Sequence, residues 1–266
     1  MKNKTISYIT EMKDNGSKIA MLTCYDSSFA KILERADIDA ILVGDSLGMV
    51  IQGKDTTIPV SMEQIIYHTQ CVSSVLKETL VVADMPFLSY TSNNRAIENA
   101  ERLLKEGGAH MVKLEGSDYQ LEIVRYLTNR SIPVCAHLGF LPQSIHKLGG
   151  YFMAGKKTEE AEKLLLDAIS LQDAGAQMLI LECVPSNVAK TITKKLDIPV
   201  IGIGAGIETD GQILVLYDAL GISINKIPKF SSNFLKNSNG DIFDAISKYV
   251  SAVRKKKFPE LENILM

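Results

Sequence analysis

Ala40-Ile41-Leu42-Val43-Gly44-Asp45 is an apolar run that stops on a carboxylate, and the same figure returns along the chain. Asp84 closes LVVAD, Glu115 closes MVKLE, His137 lies in VCAHLG, and Glu182 follows QMLIL. Apolar runs of this length, rich in β-branched residues, read as strands buried on both faces. Strands of that kind are predicted over residues 19–25, 40–45, 80–84, 111–115, 134–138, 178–183 and 200–204. An eighth, less clearly marked, is expected within residues 213–217. Helical spacing fills the intervals, over residues 28–36, 61–76, 93–106, 118–128, 158–173 and 186–195. Ser61, Ser92, Asp118, Thr158 and Ser186 are expected as helix N-caps.

Strands alternating with helices predict an α/β fold, a (β/α)8 TIM barrel, rather than a doubly wound open sheet. The first strand is followed by TCYDSS, which lacks the glycines of a dinucleotide loop. No linker or shift of composition divides the chain, so residues 1–266 are expected to form a single barrel domain. A helix near residues 5–13 should close the barrel's far end, and an amphipathic helix over 242–253 should complete it. The longest connections, residues 46–60 and 139–157, follow strands that end on polar groups, where barrels place substrate contacts and lids.

The chain has 266 residues, is 46% hydrophobic and carries a formal charge of −2, so it has ample core and no basic field for nucleic acid. The run Lys255-Lys256-Lys257 is expected to be a solvated helix end. No apolar run has the length of a membrane span, and residues 1–16 lack the apolar centre of a signal peptide. Cys24, Cys71, Cys135 and Cys183 form no CxxC pair and are expected to be reduced thiols, which points to a cytoplasmic location.

In a barrel the C-terminal ends of parallel strands gather at one face, so Asp45, Asp84, Glu115, His137 and Glu182 should converge. Several acids around one spot repel each other unless a cation, a shared proton or a lysine lies among them. Asp45 and Asp84 are hard oxygen donors suited to Mg²⁺, the competing reading being a helix cap. Lys113 and Glu115, two apart on one strand, share a face. A lysine there either forms a structural ion pair or reaches the mouth to hold a substrate carboxylate or enolate oxygen. The apolar run before Glu182 disfavours its charge and would strengthen it as a base, although a further metal ligand or a cap before Ser186 would also fit. His137 could polarise a carbonyl or be a hydrogen-bonded core histidine. His68, His110 and His146 have no ligand partner at a characteristic spacing. The glycines of PVIGIGAG, residues 199–206, fit close backbone approach better than a phosphate loop.

Several stretches together resemble the ketopantoate hydroxymethyltransferase family: LVGDSLGMVIQGKDTTIPV, ADMPFLSY, MVKLEG, AHLGFLPQS, LECVP and PVIGIGAGIETDGQILVLYDALG with PKF after it. They extend from about residue 6 to residue 230. The family belongs to the phosphoenolpyruvate mutase and isocitrate lyase group of barrels. The resemblance implies transfer of a hydroxymethyl group from 5,10-methylenetetrahydrofolate to 3-methyl-2-oxobutanoate, giving 2-dehydropantoate on the route to pantothenate and coenzyme A. It implies Asp45, Asp84 and Glu115 at a Mg²⁺ site, Glu115 acting through water. It further implies Asp45, Ser46, Asp84, Lys113 and His137 as substrate contacts, Glu182 as proton acceptor, and a homo-oligomer, commonly a decamer. Cys24 and Phe140-Leu141 depart from the residues more common in the family, away from every implied ligand. The motifs do not locate a folate site. A Mg²⁺-dependent C–C or P–C lyase of the same barrel group, or a non-catalytic metabolite-binding barrel, are the competing readings. No KKCGH-type cysteine motif of the isocitrate lyases is present.

Overall fold

The computed structural model describes residues 3–150, 152–236 and 238–265. Eight parallel strands pair in sequence order and close into a barrel: β1 (Ile19–Thr23), β2 (Ala40–Val43), β3 (Leu80–Asp84), β4 (Met111–Glu115), β5 (Val134–Gly139), β6 (Met178–Glu182), β7 (Val200–Ile203) and β8 (Gly211–Leu214). The described helices are α1 (Ile6–Asp14), α2 (Ser27–Arg35), α3 (Leu47–Val50), α4 (Met62–Ser73), α5 (Asn93–Lys105), α6 (Gln120–Thr128), α7 (Ile145–Leu148), α8 (Thr158–Asp173), α9 (Ser186–Lys195), α10 (Leu216–Ala219) and α11 (Ile242–Arg254).

Every strand is buried because each face has its own partner. Val82, Met111, Cys135, Met178, Ile180, Ile201 and Ile213 pack into one apolar cluster. Their alternating neighbours Ala83, Val112, Leu114, Ala136, Leu179 and Val200 pack into a second cluster with Leu103, Leu127, Leu171 and Ile192 of the outer helices. Side chains reverse direction at every residue of a strand, so Asp84, Lys113, Glu115, His137 and Glu182 all fall in phase with the first set. They continue the barrel's interior column upward to its mouth.

Helix α1 lies at the opposite end. Ile9 and Met12 are buried in the first cluster, and Lys13 Nζ reaches Asp210 just before β8 at 2.7 Å. Lys4 Nζ donates to Asp37 Oδ1 and to the Ile38 carbonyl just before β2, both at 2.6 Å. Helix α11 covers β1 and β8, where the buried Tyr249 hydroxyl donates to the carbonyls of Met21 and Gln212.

Strand β8 begins at Gly211, earlier than the interval 213–217 predicted, and residues 216–219 are helical. A Cβ at Gly211 would lie 2.4 Å from the Ile19 carbonyl oxygen, so this strand needs glycine to approach β1. Gln212 is buried because its amide donates to Gly206 O and Thr209 Oγ1. A glycine and a glutamine thus open the strand and hide it from an apolar pattern. Three N-caps also differ. Asp118 stands at φ 32° outside α6, while Thr158 and Ser186 are the first helical residues, capped by Lys157 and Pro185 without side-chain bonds. Ser186 is turned against Gly206, where a Cβ would come within 2.2 Å of its Oγ. Ser61 and Ser92 do cap, Ser61 within a full capping box with Gln64. The connection 46–60 contains α3, and 139–157 contains a 3-10 turn (Pro142–Ser144) followed by α7. All four cysteines are free thiols. Among the described residues, no helix is long and apolar enough to cross a membrane.

Candidate active site

The parallel register sets the polar groups side by side before any side chain bends. Asp84 pairs with Lys113, Glu115 with His137, and Gly139 with Glu182. The six residues Asp45, Asp84, Lys113, Glu115, His137 and Glu182 therefore share one cavity of about 890 Å³ at the barrel mouth, as the sequence predicts. Ser46 lines it too, and its hydroxyl lies 2.9 Å from that of the buried Tyr25.

Asp84 is a hub. Its Oδ2 accepts the Asp45 backbone N–H at 2.8 Å and its Oδ1 accepts from Lys113 Nζ at 2.6 Å. Gly44 makes this possible, since a Cβ there would sit 3.3 Å from Asp84 Oδ2 and 2.9 Å from Ser46 Oγ. Lys113 Nζ also stands 3.7 Å from Glu115 Oε1. Asp84 and Lys113 are 1% and 4% exposed, so neither charge can be solvated and each requires the other. Burial opposes the Lys113 ammonium, but the carboxylates of Asp84, Glu115 and Asp45 outweigh it and hold its pKa above the usual lysine range. Burial and then the Asp84 charge push Asp45 well above the carboxylate range. Burial would raise Glu115 as well, but His137 and Lys113 reverse the direction and its pKa falls.

His137 stands between two acids, with Nδ1 3.3 Å from Glu115 Oε1 and Nε2 3.3 Å from Glu182 Oε2. Burial and Lys113 disfavour its imidazolium, yet the two carboxylates raise its pKa to about 9. The contacts are at ion-pair distance without hydrogen-bond alignment: Glu115 Oε1 and both ring nitrogens are buried with no aligned partner. Buried polar atoms are rarely left so, and orphans at a cavity wall are groups that a ligand or water completes. Glu182 is the most accessible of the acids, its side chain 13% exposed.

Gln143 was not singled out by sequence reasoning. Its Nε2 donates to Asp45 Oδ2 and to the Met85 carbonyl, both at 2.9 Å, and its Oε1 accepts from Tyr90 OH at 2.5 Å. Its backbone N–H donates to Glu115 Oε2 at 3.1 Å. One residue of the long loop after β5 thus ties together the ends of β2, β3 and β4. Its place in that loop, within the stretch AHLGFLPQS, is the signal the sequence offers.

Among the described residues, no group of three or more His, Cys, Asp or Glu is arranged as a ready-made metal cage. The donor set nevertheless suits a hard cation that binds few protein ligands and keeps its waters. Asp45 and Asp84 each retain lone pairs beyond the bonds described. Glu115 has Oε2 committed to Gln143 and Oε1 facing Lys113 and His137, which suits contact through water.

The glycines of residues 199–206 hold protein rather than phosphate. A Cβ at Gly204 (φ 63°) would lie 2.9 Å from the Phe230 ring, and one at Gly202 would lie 2.7 Å from Thr209 Oγ1.

Residues 3–261 match the model of the family described as ketopantoate hydroxymethyltransferase. The 3-methyl-2-oxobutanoate hydroxymethyltransferase of Nitrosococcus oceani is 54% identical over 97% of each chain. That of Shewanella denitrificans is 51% identical over the full length of both. Among solved structures, a phosphonopyruvate hydrolase in complex with oxalate and Mg²⁺ superposes with a TM-score of 0.61 at 13% identity, covering 82% of this chain and 83% of that one. A 2,3-dimethylmalate lyase of the PEP mutase/isocitrate lyase superfamily superposes at 0.59 with 18% identity, covering 83% and 84%. At these identities the likeness is one of fold.

Proposed function

We propose, from the premise that the chain belongs to the ketopantoate hydroxymethyltransferase family, that the cavity at the barrel mouth binds 3-methyl-2-oxobutanoate and turns it into an enolate that attacks a folate-borne methylene group. Membership of the family makes the chain an enzyme, a hydroxymethyltransferase, and sets aside the lyase and the non-catalytic barrel.

The observation that carries the reading is that one more accessible acid shares its cavity with a buried charge cluster. Glu182 closes β6, while Asp84, Lys113 and Asp45 cluster at the ends of β2–β4 in the same cavity. Asp45 and Asp84 would hold Mg²⁺, with Glu115 reaching it through water. When bound, the ion draws charge toward the keto oxygen of a 2-oxo acid and acidifies the adjacent C–H. Lys113 presents a fixed positive charge to the developing enolate oxygen, and burial keeps water from screening it. Ser46 and His137 orient the substrate. Glu182 takes the C3 proton, and His137 beside it holds the carboxylate in place. A positioned general base contributes roughly 10²–10⁴ in rate. One methylene–nitrogen bond of 5,10-methylenetetrahydrofolate opens to an iminium, and the enolate carbon forms the new C–C bond with that methylene. A water molecule then displaces the remaining nitrogen and supplies the hydroxyl oxygen, and tetrahydrofolate leaves with the electron pair, its two nitrogens carrying the proton from C3 and the proton from water. A homo-oligomer and a cytoplasmic location belong to the same proposal.

The test is hydrogen exchange. The protein is incubated with Mg²⁺ and 3-methyl-2-oxobutanoate in D₂O without folate, and loss of the C3–H signal is followed by NMR. The native chain should exchange, and Glu182→Gln should exchange at least about 10²-fold more slowly. Undiminished exchange in the variant would reject Glu182 as the base.

A further inference from the structure

The cavity is far larger than a five-carbon 2-oxo acid needs, and its charge is segregated. The buried acids and Lys113 form its floor, whereas Lys156, Lys226 and Lys229 line it as exposed residues at the open end. Lys156 comes from the loop before α8, and Lys226 and Lys229 come from the segment after α10. Among the described residues none of the three makes an ion pair, although the neighbouring Lys157 approaches Glu160 at 3.9 Å. The remaining acid lining the cavity, Asp218, accepts a hydrogen bond from Ser223, and burial raises its pKa. The lining also carries apolar side chains, among them Phe152, Met153, Ile227, Pro228 and Phe230.

An acidic floor, apolar lining side chains and an unpaired cationic rim fit a ligand that is flat and apolar in the middle and polyanionic at its outer end. Resting on the function proposed above, we infer that Lys156, Lys226 and Lys229 bind the carboxylates of the donor's γ-linked oligoglutamate tail, so that the enzyme distinguishes folates by tail length. The pterin and aminobenzoyl rings lie along the apolar side chains with the methylene toward Glu182, and each added glutamate brings one carboxylate to the lysine rim. Exposed charge pairs are individually weak, each contributing roughly two- to five-fold in affinity, so recognition is graded.

The test measures dissociation constants by calorimetry for pteroyl mono-, tri- and pentaglutamates, with Mg²⁺ and 3-methyl-2-oxobutanoate present. The native chain should bind the pentaglutamate roughly ten-fold or more tightly than the monoglutamate at about 50 mM salt, and the difference should shrink at about 300 mM. Combined Lys156→Gln, Lys226→Gln and Lys229→Gln should bring the two ligands within about two-fold of each other. Equal affinity for all tail lengths in the native chain would overturn the inference, as would an undiminished preference in the triple variant. Failure to bind any pteroyl ligand would instead reject the folate donor, and absence of folate-free C3–H exchange would reject the enolate chemistry.

Discussion

At the scale of single residues the site is a set of buried charges that are stable only together. Lys113→Met keeps the length of the side chain and removes its charge, leaving Asp84 and Glu115 buried without their shared cation. Breaking a buried pair in this way costs roughly 3–5 kcal/mol. A fall of that size in the unfolding free energy, measured by urea titration, is expected, together with a loss of about 10² or more in turnover. Full activity in this variant would remove the lysine from the scheme. His110 supplies a second prediction. Its Nδ1 accepts the backbone N–H of the buried Val81 at 3.0 Å, and although the residue is exposed as a whole, partial desolvation of the ring lowers its pKa. A histidine with a depressed folded pKa stabilises the fold above its unfolded value of about 6.5, and that stability is lost as pH falls through the folded value. Protonation would set two donors face to face, leaving a buried N–H unpaired at a cost of roughly 1 kcal/mol or more. His110→Asn retains an acceptor that does not titrate, so melting curves between about pH 7.5 and 5 should fall less steeply for the variant than for the native chain. An identical pH dependence would exclude His110 as a contributor. Asp45, Asp84, Lys113, Glu115, His137 and Glu182 were legible because each interrupts an apolar run, and an apolar strand has no other use for a charge. Gln143, Tyr90 and Tyr25 sit in loops, where polar residues are ordinary and only the assembled fold gives them partners.

At the scale of elements, the site depends on how closely β5 and β6 approach. Gly139 ends β5 at φ 99°, and a Cβ there would lie 2.1 Å from the Glu182 carbonyl oxygen. That carbonyl accepts the Phe140 N–H at 2.8 Å, so the turn after β5 is fastened to the residue that carries the proposed base. Gly139→Ala should cost about 1–3 kcal/mol from the backbone conformation alone. The clash falls on backbone, so Glu182 must also shift, and the C3–H exchange rate should drop while Glu182 is chemically intact. A fall in the urea midpoint with exchange unchanged would show that Glu182 tolerates the displacement. Seven strands and the alternation were readable because burial on both faces leaves an apolar signature. Strand β8 and the start of α6 were not, because close packing at Gly211 and backbone geometry at Asp118 decide them, and the N-cap positions of α8 and α9 fall to Lys157 and Pro185, residues with no capping signature. Local propensity cannot report a contact with a strand some 190 residues earlier in the chain, such as Gly211 against Ile19.

At the scale of the whole molecule, barrel closure forces the carboxylates of Asp45, Asp84, Glu115 and Glu182 into one cavity against the buried ammonium of Lys113 and the imidazole of His137. The unfolded chain separates these charges and hydrates them, so folding concentrates a repulsion that the protein's own cations only partly offset. A dication bound to the folded state alone relieves it, and mass action turns that binding into global stability. At about a hundred times the dissociation constant the gain is about 2.7 kcal/mol. For a chain of this size, each kcal/mol moves the melting temperature by roughly 2–4 °C. Saturating Mg²⁺ should therefore raise the melting temperature by roughly 5–10 °C. The gain should increase further with 3-methyl-2-oxobutanoate, which adds donors to the same ion. Asp45→Asn and Asp84→Asn should each abolish most of the Mg²⁺-dependent rise, and Asp45→Asn should itself stabilise the metal-free protein by removing one of the crowded charges. A metal-free protein whose melting temperature ignores Mg²⁺ would mean that Lys113 and His137 neutralise the cluster by themselves, and the enolate would then have to rely on Lys113 alone.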